Sequence, residues 1–119
     1  MSDFLSRVAS APISWGICEV PGWGAMLPTP RVLAEMSGLG LTATELGAPG
    51  FLPAEGPAVK EELAAYGMTL LGGFTPVVLH DPAMRDDTIA LTERFLATGT
   101  VPPATASASV CPSRLRTPS

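Results

Sequence analysis

The sequence predicts an α/β fold in which parallel strands alternate with helices, three βα units in series. Two observations carry the prediction. An apolar β-type run, a Gly/Pro-rich loop, an amphipathic stretch and a closing glycine recur in that order three times. The closing junctions, Gly40-Leu41-Thr42, Gly67-Met68-Thr69 and Gly99-Thr100-Val101, fall at roughly the 30-residue interval of a βαβ unit. Strands alternating with helices imply a parallel sheet with right-handed crossovers. Capping, period and turn signals agree in all three units, which argues against unrelated elements that merely line up.

The first strand is expected over Val8-Ala9-Ser10-Ala11-Pro12-Ile13-Ser14-Trp15, followed by a loop containing Pro21-Gly22-Trp23-Gly24 and Pro28. Thr29 then caps a helix with Pro30 in its first position, where a missing N–H costs nothing. Val32, Met36 and Leu39 step along one face, and Gly38 and Gly40 supply a left-handed stop. The second strand is Leu41-Thr42-Ala43-Thr44-Glu45-Leu46, and Gly47 to Gly56 reads as loop. The second helix, Pro57 to Tyr66, turns Val59, Leu63 and Tyr66 inward and Lys60, Glu61 and Glu62 outward, with Gly67 closing it.

The third strand is Met68-Thr69-Leu70-Leu71-Gly72-Gly73-Phe74, and its loop holds Pro76, His80, Asp81 and Pro82. The third helix carries Ile89, Leu91, Phe95 and Leu96, with Asp86 and Asp87 near its start, where the helix dipole favours acids. Gly99 ends it. A fourth unit then fails at Pro102-Pro103, which cannot donate to a ladder. From Ala104 to Ser119 there is no acid, no period and no cap. The expected organisation is a partial α/β domain over 1–99 and an unstructured tail over 100–119. The tail's Pro/Ala/Ser/Thr/Arg content is also what an out-of-frame reading of GC-rich DNA produces.

Composition narrows the function classes. The 119 residues hold 7 basic and 11 acidic side chains, a formal charge of −4, with 46% hydrophobic and 15% charged residues. That is too apolar for a disordered chain and too acidic for a dedicated nucleic-acid binder. The length is less than half of the roughly 250 residues of a closed (β/α)₈ barrel. Cys18 and Cys111 lie in no metal-like spacing. No secretory h-region and no membrane-spanning run is present, so a soluble cytoplasmic protein without membrane or nucleic-acid partners is expected. There is also no phosphate-binding loop of the GxxxxGK[ST] type.

The stretch Ala11-Pro12-Ile13-Ser14-Trp15-Gly16-Ile17-Cys18-Glu19-Val20-Pro21-Gly22-Trp23-Gly24 resembles the N-terminus of the sugar phosphate isomerase/epimerase family, the xylose-isomerase-like TIM barrels, and within it the inosose dehydratase branch. Leu27-Pro28 with Arg31 to Met36, Leu39 to Gly47, and Gly72-Gly73-Phe74 with Pro76 to Asp81 fit the same family in order and spacing. The resemblance covers roughly residues 8–98. It implies the first three βα units of a TIM (β/α)₈ barrel, an incomplete barrel. It further implies isomerisation, epimerisation or dehydration of a sugar or polyol, aided by a divalent metal (Mn, Co or Mg). That metal is held by Glu, Asp, His and Glu on later strands absent from this chain, so no metal ligand is assigned here and no cofactor is expected.

In such barrels the reactive groups lie at the C-terminal ends of the strands and in the βα loops. Glu45 and His80 are the catalytic candidates. Glu45 is a substrate-hydroxyl or metal-shell ligand, or only a charge at a strand end. His80, the one histidine, is an acid/base or ligand-orienting group, or an ordinary loop residue. Trp15 and Trp23 are candidate apolar walls for a sugar's C–H faces, or loop packing. Glu19 is a further substrate-binding candidate, ranked below Glu45. Cys18 reads as a small hydrophobe. Gly72-Gly73 lets a ligand or backbone approach closely, or marks a bulge.

Two function classes follow. In one, the whole protein removes a proton next to a sugar carbonyl and residues 8–98 form part of the substrate wall. In the other, this chain is inactive alone, a truncated or frameshifted product or a partial barrel needing a partner. A small non-catalytic α/β binding domain is a weaker third reading, since three strands fall short of the usual five. For the isolated chain, whose three units leave the sheet edges open where a closed barrel has none, self-association is expected.

Overall fold

The computed structural model describes residues 2–98. The expected tail at 100–119, the closing Gly99 and the Pro102-Pro103 break lie outside the described residues. Helix α1 (Ser2–Leu5) leads to helix α2 (Thr29–Gly38), strand β1 (Ala43–Glu45), helix α3 (Gly56–Ala64), strand β2 (Thr69–Gly72) and helix α4 (Arg85–Thr98). β1 and β2 pair in parallel, Ala43 opposite Thr69 and Thr44 opposite Leu70, with Leu71 as the extra residue of a bulge before Glu45 meets Gly72. The βα alternation and the parallel sheet are present as read.

The first strand is shorter than expected. Only Ser10 joins the sheet: its N–H donates to Ala43 O (2.9 Å) and its carbonyl accepts from Glu45 N–H (2.9 Å), a single parallel bridge to Thr44. Pro12 has no N–H to continue the ladder, and Pro12–Trp15 winds into a 3₁₀ turn ended by Gly16 at φ +84°. Trp15 therefore sits on a turn and not at a strand end. Segment order across the sheet is Ser10, β1, β2.

One face of this sheet is covered. Ser10 Oγ reaches Met36 Sδ (3.3 Å), so the Ser10 side faces α2. Thr44, its bridge partner, is fully buried, and Leu70 packs on the same cluster. That cluster gathers Val32, Leu33 and Met36 of α2, Val59 and Leu63 of α3, Met68, and Ile17, Ala48, Phe51 and Leu52 from the loops. Among the described residues no buried side-chain nitrogen or oxygen lacks a partner.

The helix faces differ from the sequence reading in detail. Leu39, expected inside, is 61% exposed, and Leu33 is buried in its stead. The α2 stripe is thus 32, 33 and 36, because the helix ends at Gly38 and Leu39 falls on the solvent side of its C-terminal turn. Thr29 does not cap α2; its hydroxyl donates to Phe51 O in the loop after β1, which ties that loop to the helix. In α4 Ile89 and Leu96 are exposed. The half-buried face is instead Thr88, Leu91, Thr92, Phe95 and Thr98, at helical spacing.

The packing separates two leucines that sequence periodicity does not. Leu33→Ala should cost about 2–5 kcal/mol, the range for deleting a fully buried leucine. Leu39→Ala should stay within about 0.5 kcal/mol, as for other exposed positions. Urea titration of the two variants checks the order.

Candidate functional site

The loops that leave Ser10, β1 and β2 meet at one end of the sheet and enclose a cleft of about 790 Å³. That is within the usual size of small-molecule sites, about 300–1,000 Å³. Two glycines let its walls close. Gly47 follows β1 at φ +76°, and a Cβ there would stand 2.7 Å from Pro12 Cγ, so the loop passes beneath the 3₁₀ turn only without a side chain. A Cβ on Gly73 would lie 2.9 Å from Phe95 Cζ and 3.0 Å from Leu46 Cβ. The Gly72-Gly73 pair therefore admits an aromatic ring from α4 at its second member.

Helix α4 forms the remaining wall. The Thr88 hydroxyl donates to Val78 O (3.2 Å) and accepts from Val78 N–H (3.4 Å), fastening the loop after β2. At the other end Thr98 Oγ1 donates to Ala54 O (3.1 Å) in the loop after β1. Leu91, Arg94 and Phe95 then line the cleft together with Ile13, Leu46 and Phe74.

Of the five residues predicted from sequence, Glu19 and Glu45 line this cleft. Both are exposed, Glu45 as the last residue of β1. Trp15, Trp23 and His80 do not line it. Trp23 lies 73% exposed on the loop after the 3₁₀ turn. His80 is not at a strand end, because β2 stops at Gly72; it sits exposed on the following loop. Its neighbour Asp81 is engaged elsewhere: its Oδ1 accepts from Ala83 N–H (2.9 Å) and opens the Pro82–Met84 turn into α4. Cys18 is half-buried, its Sγ accepting from Val20 N–H (3.4 Å).

Phe74 lies in the segment after the third strand that the sequence placed at the rim, but sequence reasoning missed Arg94 and Phe95 as cleft residues. The available signal was the Thr88, Thr92, Thr98 spacing, which marks the half-buried α4 face better than its hydrophobes do.

The cleft joins apolar walls to two carboxylates and one guanidinium. A carboxylate at a strand end can exchange a proton with a bound hydroxyl or an acidic C–H. A divalent cation needs several oxygen or nitrogen ligands in near-fixed geometry. Among the described residues no three His, Cys, Asp or Glu side chains come together to hold one. The donor set of this cleft alone does not fit the implied metal. No described helix is long and apolar enough to cross a membrane.

Trp15 has a structural partner. Its indole N–H donates to Glu35 Oε2 (2.8 Å), and Arg31 Nε donates to Glu35 Oε1 (3.0 Å). The Arg31 bond, then the Trp15 bond, hold the Glu35 pKa below the ordinary carboxylate value. A lowered folded-state pKa adds stability above the unfolded-state pKa, and that stability is lost as pH falls through the folded value. In a Trp23→Phe background, Trp15 emission should hold steady on acidification until below the ordinary carboxylate range, then change. Glu35→Gln should abolish that step; its persistence would assign it to another group.

No protein-family model matches the chain, and no solved structure matches it. The chain is 36% identical over 75 residues to an inosose dehydratase of Geobacillus kaustophilus (strain HTA426), covering 63% of this chain and 24% of that protein. It is 37% identical over 68 residues to the rhizopine catabolism protein MocC of Rhizobium meliloti, covering 57% of this chain and 20% of that protein. The matched stretch is thus less than a quarter of the length of either relative. At that reach the two matches support a xylose-isomerase-like sugar-processing family.

Proposed function

We propose that the chain carries the first βα units of a barrel enzyme that isomerises, epimerises or dehydrates a sugar or an inosose. The observation that carries this reading is Glu45. It ends β1, lines the cleft, and lies on a chain 36% identical over 75 residues to an inosose dehydratase. In the assembled site Glu45 binds a substrate hydroxyl or moves a proton beside the carbonyl, and Glu19 meets the substrate from the loop before α2. Ile13, Phe74 and Phe95 exclude water from the apolar side. Trp15 acts at one remove, by anchoring the 3₁₀ turn to Glu35.

By itself the chain is inactive on this reading. Its acids are exposed, and proton transfer next to a carbonyl needs a base within hydrogen-bond reach of a substrate that is held still and kept from water. Two carboxylates on an open rim do not supply that. The test is turnover of inosose and ketose substrates, with and without added Mn²⁺, Co²⁺ or Mg²⁺. The 119-residue chain should give none. Residues 8–98 joined to the later part of a relative should be active. Glu45→Ala should then lower kcat/KM by roughly 10²-fold or more, in line with the general acid–base contribution. Trp15→Ala should lower it less. Catalysis by the short chain, lost in Glu45→Ala, would overturn the inactive reading.

A further inference from the structure

The cleft holds a cation that no carboxylate of the chain neutralises. Arg94 lines it from the same helix face as Leu91, Phe95 and Thr98. Its place is fixed through the backbone. The Thr98 hydroxyl that donates to Ala54 O also lies 3.1 Å from Arg94 O, so this turn of α4 is tied to the loop after β1. All 11 acidic side chains of the chain lie among the described residues, and residues 99–119 contain none. Among the described residues the one ion pair is Arg31–Glu35. Glu19 and Glu45 share the cleft with Arg94 without pairing to it. Its helical neighbours three and four positions away, Ala90, Leu91, Ala97 and Thr98, offer no carboxylate either. A bound oxyanion therefore displaces water from the guanidinium and breaks no ion pair.

We propose that Arg94 selects a sugar acid, binding the ligand's carboxylate while Glu45 meets its hydroxyls. The polyol part of this inference rests on the proposed sugar-processing function; the charge rests on Arg94. A guanidinium presents a planar fork of donors that matches the two oxygens of a carboxylate. Charge favours that group over a phosphate. Two carboxylates already line the cleft, and among the described lining residues Arg94 is the one cation. A phosphate brings close to two negative charges at neutral pH. A carboxylate brings one, which a single guanidinium balances. Phe74 and Phe95 supply apolar surface for the ligand's C–H faces. An uncharged polyol leaves Arg94 solvated and gains nothing from it.

Saturation-transfer NMR titrations of the full 119-residue chain at low salt test this with matched probes. Gluconate carries the carboxylate, sorbitol is its uncharged counterpart, hexanoate has the carboxylate without hydroxyls, and glucose 6-phosphate carries the phosphate. Gluconate should bind most tightly of the four. Arg94→Gln should weaken gluconate about fivefold or more, between the worth of an exposed ion pair and that of a charge-assisted bidentate bond, and leave sorbitol unchanged. Arg94→Lys, which keeps the charge but not the fork, should fall between. Matching circular dichroism of the variants and the wild type excludes unfolding as the cause. Equal binding of gluconate and sorbitol, or equal loss of both in Arg94→Gln, would overturn the charge selection and leave the sugar-processing reading standing. Hexanoate bound as tightly as gluconate would overturn the sugar part, and with it the support for that reading. Preference for glucose 6-phosphate, or no binding of gluconate, would overturn the assignment of a carboxylate.

Discussion

Met36, Leu33 and Leu63 can leave water only because Ser10, Thr44 and Leu70 present one side of a narrow sheet to α2 and α3. Everything else hangs on that one-sided burial. The strands are short, three and four residues, and two such strands have little stability without a packed face. The helices supply it. The apolar loop residues Ile17, Ala48, Phe51 and Leu52 then extend the same core upward. In doing so they carry the loop backbones to the end of the sheet where the cleft opens.

The cleft is a product of close approach. Gly47 and Gly73 each lack the Cβ that would meet Pro12 and Phe95. Threonine hydroxyls at 29, 88 and 98 then bond carbonyls of the loops they face, so three helix-borne side chains hold two otherwise irregular loops, those after β1 and β2. Glu45 inherits its position from the ladder. The β1 backbone, bonded on both sides, fixes where the strand ends, and the bulge at Leu71 sets how β2 ends beside it. The chemistry of the site is acidic and apolar, which suits hydroxyl recognition and proton transfer more than metal capture by these residues alone.

The same geometry explains why the tryptophans and the histidine lie apart from the cleft. Trp15 belongs to a turn that Pro12 initiates, and its indole is directed to Glu35. His80 follows β2 by a loop long enough to carry it away from the strand end. An aromatic or imidazole side chain does not reach the cleft without a backbone that carries it there.

From the sequence alone the βα order, the parallel sense of the sheet and the amphipathic cores of α2 and α3 were legible. Glycine junctions, proline positions and 3.6-residue spacing are local signals, and local signals decide element type. Glu45 was legible for the same reason, as the acid at the end of an apolar run. The length of the first strand was not. A single proline's missing N–H matters only once a neighbouring strand is there to receive it. Nor was the choice of Leu33 over Leu39, or of Thr88 and Phe95 over Ile89 and Leu96, since periodicity marks a face to within one residue and contact with a particular neighbour decides it. The cleft belongs wholly to tertiary structure. Arg94 and Phe95 join Glu45 and Phe74 in the cleft lining because α4 is fastened to the loops after β2 and β1 by Thr88 and Thr98, bonds to carbonyls 10 and 44 residues away that no local pattern encodes.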